Sequence, residues 1–459
     1  MASSVQVVHC IDTEGPLYES LDATFERLRH AFHLDMEPDR KLLGQLQRGE
    51  VDLGELTEPV RTFLNPELLS YNETWDQIDA MLDDALSASF RQQFPDSTGR
   101  GWIYNWHCVD HVNYDVNPRR RDIGYHNVYD HYRAQLRDTA SGQDGLHFHY
   151  HPQPFRRHAH RCATRWVHGT NTLTQALSRR VIDRMWFPVA SRPGFHVNRP
   201  DGHWFLEQYI PFDYASQAMA PTTLDEQQFD LSKGRFGDWR RAPRTWAPYH
   251  PSHDDYQRPG TCRRWIARCL NVGTRLRLLT EEHVRQAFEE AREGRPVVMG
   301  FTNHDFRDIR PDVRRTYALI RDVAQDYPDV PFEHAEAVSA MRTALDLPVQ
   351  APCDLRVNMR AQGDAHVLTI ESDTPTFGPQ PWLCFKTVTE DYHHDNLDIL
   401  TPFHEWRYVF DRETFPIRAI ESVGIATNNA YGATTVVVHD VARGTTKTVH
   451  HNLDPVPAG

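Results

Sequence analysis

Apolar residues recur along this chain in short blocks, and polar residues capable of chemistry stand directly after several of them. Val5 to Ile11 reads as a buried strand that ends at Asp12-Thr13-Glu14. Residues 17–95 read as a polar helical insertion, with Leu17, Leu21, Phe25, Leu28 and Phe32 at near-helical spacing. Trp102–Trp106 reads as a second strand. Val128–Leu136 reads as a helix leading into His147-Phe148-His149-Tyr150-His151-Pro152. Downstream, the segment from Asp183 to Pro188 leads to Arg192, and Thr280–Glu293 reads as a helix closed by Gly294. Pro296–Phe301 is an apolar strand ending at Thr302-Asn303-His304-Asp305, and helices follow over Val313–Gln325 and 335–346. Strands that alternate with helices and carry polar residues at their C-terminal ends predict a parallel α/β core with its site at that edge.

Two stretches break this rhythm. Residues 216–260 are rich in Pro, Trp, Tyr and Asp and lack a period, which predicts a long structured loop over one end of the fold. After Leu347-Pro348-Val349 the pattern becomes short strands: Leu355–Met359, His366–Glu371, Trp382–Thr389, Trp406–Phe410 and Thr434–His439, with a hairpin turn at Val441 to Thr445. The expected division is an α/β domain over 1–348 and an all-β, sandwich-like domain over 349–459.

Composition narrows the classes. With 459 residues, 50 basic and 63 acidic, the formal net charge is −13, which argues against nonspecific nucleic-acid or anionic-membrane binding. Arg119-Arg120-Arg121 and Arg240-Arg241 read as solvated charge, with a phosphate contact as the alternative. The 7 cysteines include no CxxC pair and suit a reducing compartment. The first ten residues lack the features of a signal peptide, and no run approaches the roughly 18 apolar residues of a membrane span, so a soluble cytoplasmic protein is expected.

The candidate chemistry lies in the blocks named first. In a strand, alternate side chains share a face, so His147, His149 and His151 would point the same way. His147 and His151 also have a metal-ligand spacing, with Pro152 turning the chain. Two carboxylates at one strand tip, Asp12 and Glu14, suit one metal ligand and one general base. Arg192 is able to orient a carboxylate, and His304 beside Asp305 suits a general acid.

Taken in order, acid pair, histidine pair, Arg192-Pro193-Gly194 and late histidine, the series resembles the polysaccharide deacetylase family (NodB-homology domain, carbohydrate esterase family 4). Its His-Ser-x-x-His-Pro motif is similar to His147 through Pro152, and Gln208 to Tyr214 resembles the segment after its arginine motif. The chain departs from that pattern in having Asp-x-Glu in place of adjacent aspartates, His149 in a position the family does not give to histidine, and only a loose match at Asp238-Trp239. The resemblance implies a deformed (β/α)7-type barrel and a divalent ion, zinc or else cobalt or nickel, on Glu14, His147 and His151. It also implies Asp12 as base held by Arg192, His304 as acid, and His149, Tyr150, Asp238 and Trp239 along the substrate. The implied reaction is removal of acetyl from an N-acetyl sugar, and a cytoplasmic location favours a nucleotide-linked or lipid-linked substrate. The alternatives are a hydrolase of non-sugar amides on the same scaffold and a non-catalytic glycan-binding protein.

Overall fold

A computed structural model describes residues 3–161, 165–166, 170–220 and 237–451. Seven parallel strands close into a ring. In chain order they are β1 (Val5–Thr13), β2 (Tyr104–Cys108), β3 (Gly145–Tyr150), β4 (Ala190–Pro193), β5 (Phe212–Ser216), β6 (Trp265–Asn271) and β7 (Val297–His304). Each pairs with its successor, and β1 closes the ring against both β7 and β2. All nine residues of β1 are buried, as expected for a strand covered on both faces.

One short strand, β8 (Phe332–His334), shares an edge of β1 with β2. It pairs with Val5–Val7, and β2 pairs with His9–Thr13. Alternation then divides each strand's side chains between the ring interior and the surrounding helices. Val8, Cys10, Ala190, Tyr214 and Cys269 form the interior core. Ala337, Val338 and Met341 of the helix Ala337–Ala344 join that core from the N-terminal end of the ring and plug it. The plug is fastened by polar groups. The amide of Ala337 donates to Asn105 Oδ1 at 2.7 Å, and its carbonyl accepts from the Tyr214 hydroxyl at 2.6 Å. The opposite, C-terminal end is left for the polar residues.

The region after β1 is helical, as its spacing predicts. Helices α1 (Leu21–Phe32) through α6 (Ala88–Arg91) occupy it, with a small apolar core of their own around Phe25, Leu28, Leu46, Val60 and Leu64. The helix α7 (Asn127–Asp138) precedes β3, α8 (Thr170–Arg184) precedes β4, and α9 (Pro200–Tyr209) precedes β5. Glu281–Arg292 (α10) opens with a capping box from Thr280 and His283, and Gly294 follows with φ 78°. Of the aromatic loop expected over 216–260, residues 221–236 lie outside the described residues. The part after them packs Trp239, Ala242, Tyr249 and Tyr256 against β5 and β6.

Beyond the barrel, two antiparallel sheets stack face to face. One has the order β13 (Asp398–Thr401), β14 (Glu405–Phe410), β10 (Ala365–Ser372), β9 (Leu355–Gln362), and the other β12 (Tyr392–Asp395), β11 (Trp382–Thr387), β15 (Ile420–Asn428), β16 (Thr434–Asp440), β17 (Thr445–His451). Leu368, Ile370, Phe385, Trp406 and Ile425 fill the space between them. The sequence pattern omits β15 (Ile420–Asn428), which is central to the larger sheet. The reason is physical: β15 is buried on both faces, so it shows no alternation. Its second face, with Trp382, Cys384 and Val436, shares a core with Tyr150, Leu177 and Val181 of the barrel layer. Asn428 ties the two parts directly, donating to the carbonyls of Pro188 and Tyr209 at 2.8 Å each.

Candidate metal centre

Three donor atoms converge at the C-terminal end of the ring. Glu14 follows β1, while His149 lies within β3 and His151 just beyond it. His149 Nε2 is 2.9 Å from His151 Nε2, His151 Nε2 is 3.2 Å from Glu14 Oε1, and His149 Nε2 is 3.7 Å from Glu14 Oε1. A tetrahedral zinc site with bonds of about 2.0–2.1 Å has ligand-to-ligand edges of about 3.3–3.4 Å. The three edges bracket that value, and all three residues are buried. A carboxylate and two imidazoles also form an accepted donor set for a divalent transition ion. The residues therefore fit a metal.

The surroundings orient these donors. His149 Nδ1 donates to the carbonyl of Arg192 at 2.6 Å, which directs Nε2 toward Glu14 and His151. Gly194 lies against the His151 ring so closely that a Cβ there would collide with it. Glu14 divides its oxygens, Oε1 facing the imidazoles and Oε2 bonding the Arg121 guanidinium. Burial favours the protonated acid, but Arg121 and His151 outweigh burial and hold Glu14 well below the usual carboxylate range.

Asp305 anchors the loop that carries Glu14. It accepts the amide N–H of Glu14 at 2.8 Å, that of Gly15 at 2.9 Å and the Tyr132 hydroxyl at 2.9 Å. Burial pushes its carboxyl up to about 7 against these three donors, with the Glu14 charge adding to the rise. Asp305→Ala would strand two buried amides and release Glu14. Metal affinity is expected to fall about 10–100-fold, as for other supporting groups of metal ligands, read by competition with a chelating dye.

Asp12 stands beside the donor group. Arg192, at the end of β4 and wholly buried, donates from Nε to Asp12 Oδ1 at 2.6 Å. The arginine is held in turn by the Tyr214 carbonyl at 3.1 Å and His196 Nε2 at 3.2 Å. Burial raises the Asp12 pKa, but Arg192, His149 and His304 together bring it below its ordinary value. Removing one partner of such a buried pair typically costs about 3–5 kcal/mol. His304 closes the circle, with Nε2 3.6 Å from Asp12 Oδ2 and 4.0 Å from Glu14 Oε1. Its side chain is 23% exposed, against 5–6% for the two carboxylates, so it marks the open side of the site. Burial pushes its pKa down to about 4, which leaves it neutral at neutral pH.

Four residues expected in the site take other places. His147 faces inward one step deeper, hydrogen-bonded to Asn105 Oδ1 at 3.2 Å with Glu336 Oε1 3.0 Å from the same nitrogen, and the candidate donor group contains His149 in its stead. Four residues span about 13 Å along a strand, too far for His147 and His151 to share one ion. His149 is half that distance from His151, and β3 ends at Tyr150, just before His151. Tyr150 points outward, buried against Trp166 in the core shared with the β sandwich. Trp239 is buried, donating its indole N–H to the His196 carbonyl at 3.0 Å, and so supports Arg192 through His196. Asp238 pairs with Arg240 at 2.9 Å. Arg121, whose Arg-Arg-Arg run reads as solvated charge or a phosphate contact, is instead a buried partner of Glu14.

Among the described residues, no helix is long and apolar enough to cross a membrane. No protein-family model matches the sequence, and no curated protein matches it.

Proposed function

We propose that this protein is a metal-dependent amide hydrolase of the polysaccharide deacetylase kind, acting on an N-acetylated sugar. The observation that carries this reading is the pairing of two features within one layer: a buried Glu14-His149-His151 donor group and a buried Asp12 held ionised by Arg192. A catalytic metal site needs such ligands with a separate base beside them. Zinc is the ion best matched to the donor set, with cobalt or nickel next.

A divalent ion in that group would supply Lewis acidity toward the amide carbonyl and acidify a water molecule. The remaining steps belong to the side chains. Asp12 accepts a proton from the attacking water, and Arg192 keeps its carboxylate ionised and aimed. Neutral His304, 3.6 Å from Asp12, is placed to take that proton on and deliver it to the nitrogen as the C–N bond breaks. An amine anion is a very poor leaving group, and such proton transfer is typically worth about 10²–10⁴-fold.

The test is acetate release from a panel of free, nucleotide-linked and polymeric N-acetyl sugars by zinc-loaded protein, beside simple non-sugar amides. Release of acetate from sugars alone supports the proposal. Turnover of non-sugar amides alone keeps the hydrolase and replaces the substrate. No turnover of either by fully loaded protein overturns the enzyme reading.

A further inference from the structure

Outward from Glu14, the molecule concentrates positive charge that its own carboxylates do not balance. Arg121 bonds Glu14 through one nitrogen, yet its Nε and Nη1 are buried and have no acceptor among the described residues. The Arg121 guanidinium lies 4.9 Å over the Phe306 ring, whose other cationic neighbour, Arg307, is at 5.0 Å. Arg307 also stacks on Tyr71, and the Tyr71 hydroxyl donates to Glu19 at 3.1 Å. Glu19 serves two more arginines, Arg27 at 2.6 Å and Arg119 at 3.0 Å. Arg275 joins from the loop after β6, stacked on Phe63 at 5.0 Å opposite Arg27 at 4.6 Å. Of these five guanidinium groups three contact carboxylates, Arg121 at Glu14 and Arg27 and Arg119 at Glu19. Among the described residues, Arg275 and Arg307 bond main-chain carbonyls only, at Phe63 and at Leu68 and Gly273.

Burial and mutual repulsion have a cost here. Burial, with Arg27 and Arg121 nearby, brings Arg119 down to about 10, and burial, with Arg27 and Arg307 nearby, brings Arg275 down to about 9. Buried N–H groups without acceptors are rare in folded proteins, and each one left so is costly. Arg275 Nη2 and His160 Nε2 are further buried atoms without a partner among the described residues. His160 stands within electrostatic reach of Arg119, Arg121 and Glu14. Guanidinium forks match phosphate oxygens in shape and charge.

We infer that this arginine cluster, between Glu14 and the helical insertion, is a subsite for a phosphate or diphosphate group. In taking that group to belong to the substrate, the inference rests on the hydrolase reading above. A phosphate beside Arg121 would place a sugar linked to it next to the metal group, because Arg121 touches Glu14 itself. The insertion after β1 then has a use, since it contributes Arg27, Glu19 and Tyr71 to the subsite wall.

The test is calorimetric titration of inorganic pyrophosphate into the full chain freed of metal by chelation, which prevents a bound ion from capturing the ligand. Wild-type protein is expected to bind, more weakly as salt rises, and to unfold at a higher temperature with pyrophosphate than without it. Arg121→Met and Arg275→Met should each weaken binding about tenfold or more, as for loss of a charge-assisted hydrogen bond. Arg275→Met carries the test if Arg121→Met fails to fold, because Arg275 touches no metal ligand. No binding by wild type, or undiminished binding by Arg275→Met, overturns the subsite. Neither result bears on metal content or acetate release, so the hydrolase reading stands or falls separately. A nucleoside diphosphate and phosphatidylglycerol vesicles, titrated alongside, identify a soluble or a lipid carrier. Either outcome keeps the subsite.

Discussion

His149→Ala is expected to abolish metal binding and with it all metal-dependent turnover, whereas His147→Ala retains about one ion per chain. Metal analysis of the two purified variants beside wild type decides the matter. The prediction is sharp because the residues are two apart on one strand and share a face. His149 Nε2 is 2.9 Å from His151 Nε2, while His147 is hydrogen-bonded to Asn105 and lies beside Glu336 deeper in the ring. Losing one of three protein ligands removes a bond that no neighbour replaces. Losing His147 instead leaves a space at the barrel plug, which should appear as lowered thermal stability with metal intact. Equal loss of metal in both variants would mean that the ligand set is wrong.

Asp12→Asn should lower kcat about 10²–10⁴-fold while leaving the metal content unchanged. The substitution keeps the side-chain volume and a hydrogen-bonding oxygen for Arg192, but it removes the charge and the basicity. Binding of substrate should change little, so the loss belongs in kcat and not in KM. Retention of near-normal turnover by a metal-loaded Asp12→Asn protein would exclude Asp12 as the base. Loss of metal in that variant would instead make Asp12 a ligand.

Much of this site was legible in the sequence because a parallel barrel places its chemistry at strand C-terminal ends. Asp12 and Glu14 after one apolar run, the histidines of β3, and His304 after another run are all found there. What escaped had a common cause. The choice between His147 and His149 depends on rise per residue, which differs more than twofold between strand and helix. The role of Arg121 depends on a partner 107 residues away, and that of Asp305 on a partner 291 residues away. Trp239, expected along the substrate, is buried, and its indole donates to a carbonyl and leaves no face for a sugar. In the sandwich, the sequence pattern missed β15, which is buried on both faces, and also the four-residue β12 and β13 and the largely exposed β17, none of which shows a clean alternation.

The ring closure at β1 has a consequence for how the molecule is made. Val5 pairs with Val297 and Asp12 with His304, so one edge of β1 has no partner until β7 has been synthesised. Contacts so distant in sequence are slow to form, because loop-closure entropy must be overcome before they contribute. Asp12 and Glu14 ride on that strand, and Asp305 and His304 arrive with its late partner. The nascent chain therefore carries its acidic pair for most of translation without the groups that tune it. On the proposed metal reading, Asp305 anchors the Glu14 loop only once β7 has been made, so the donor group and the barrel reach their final form together.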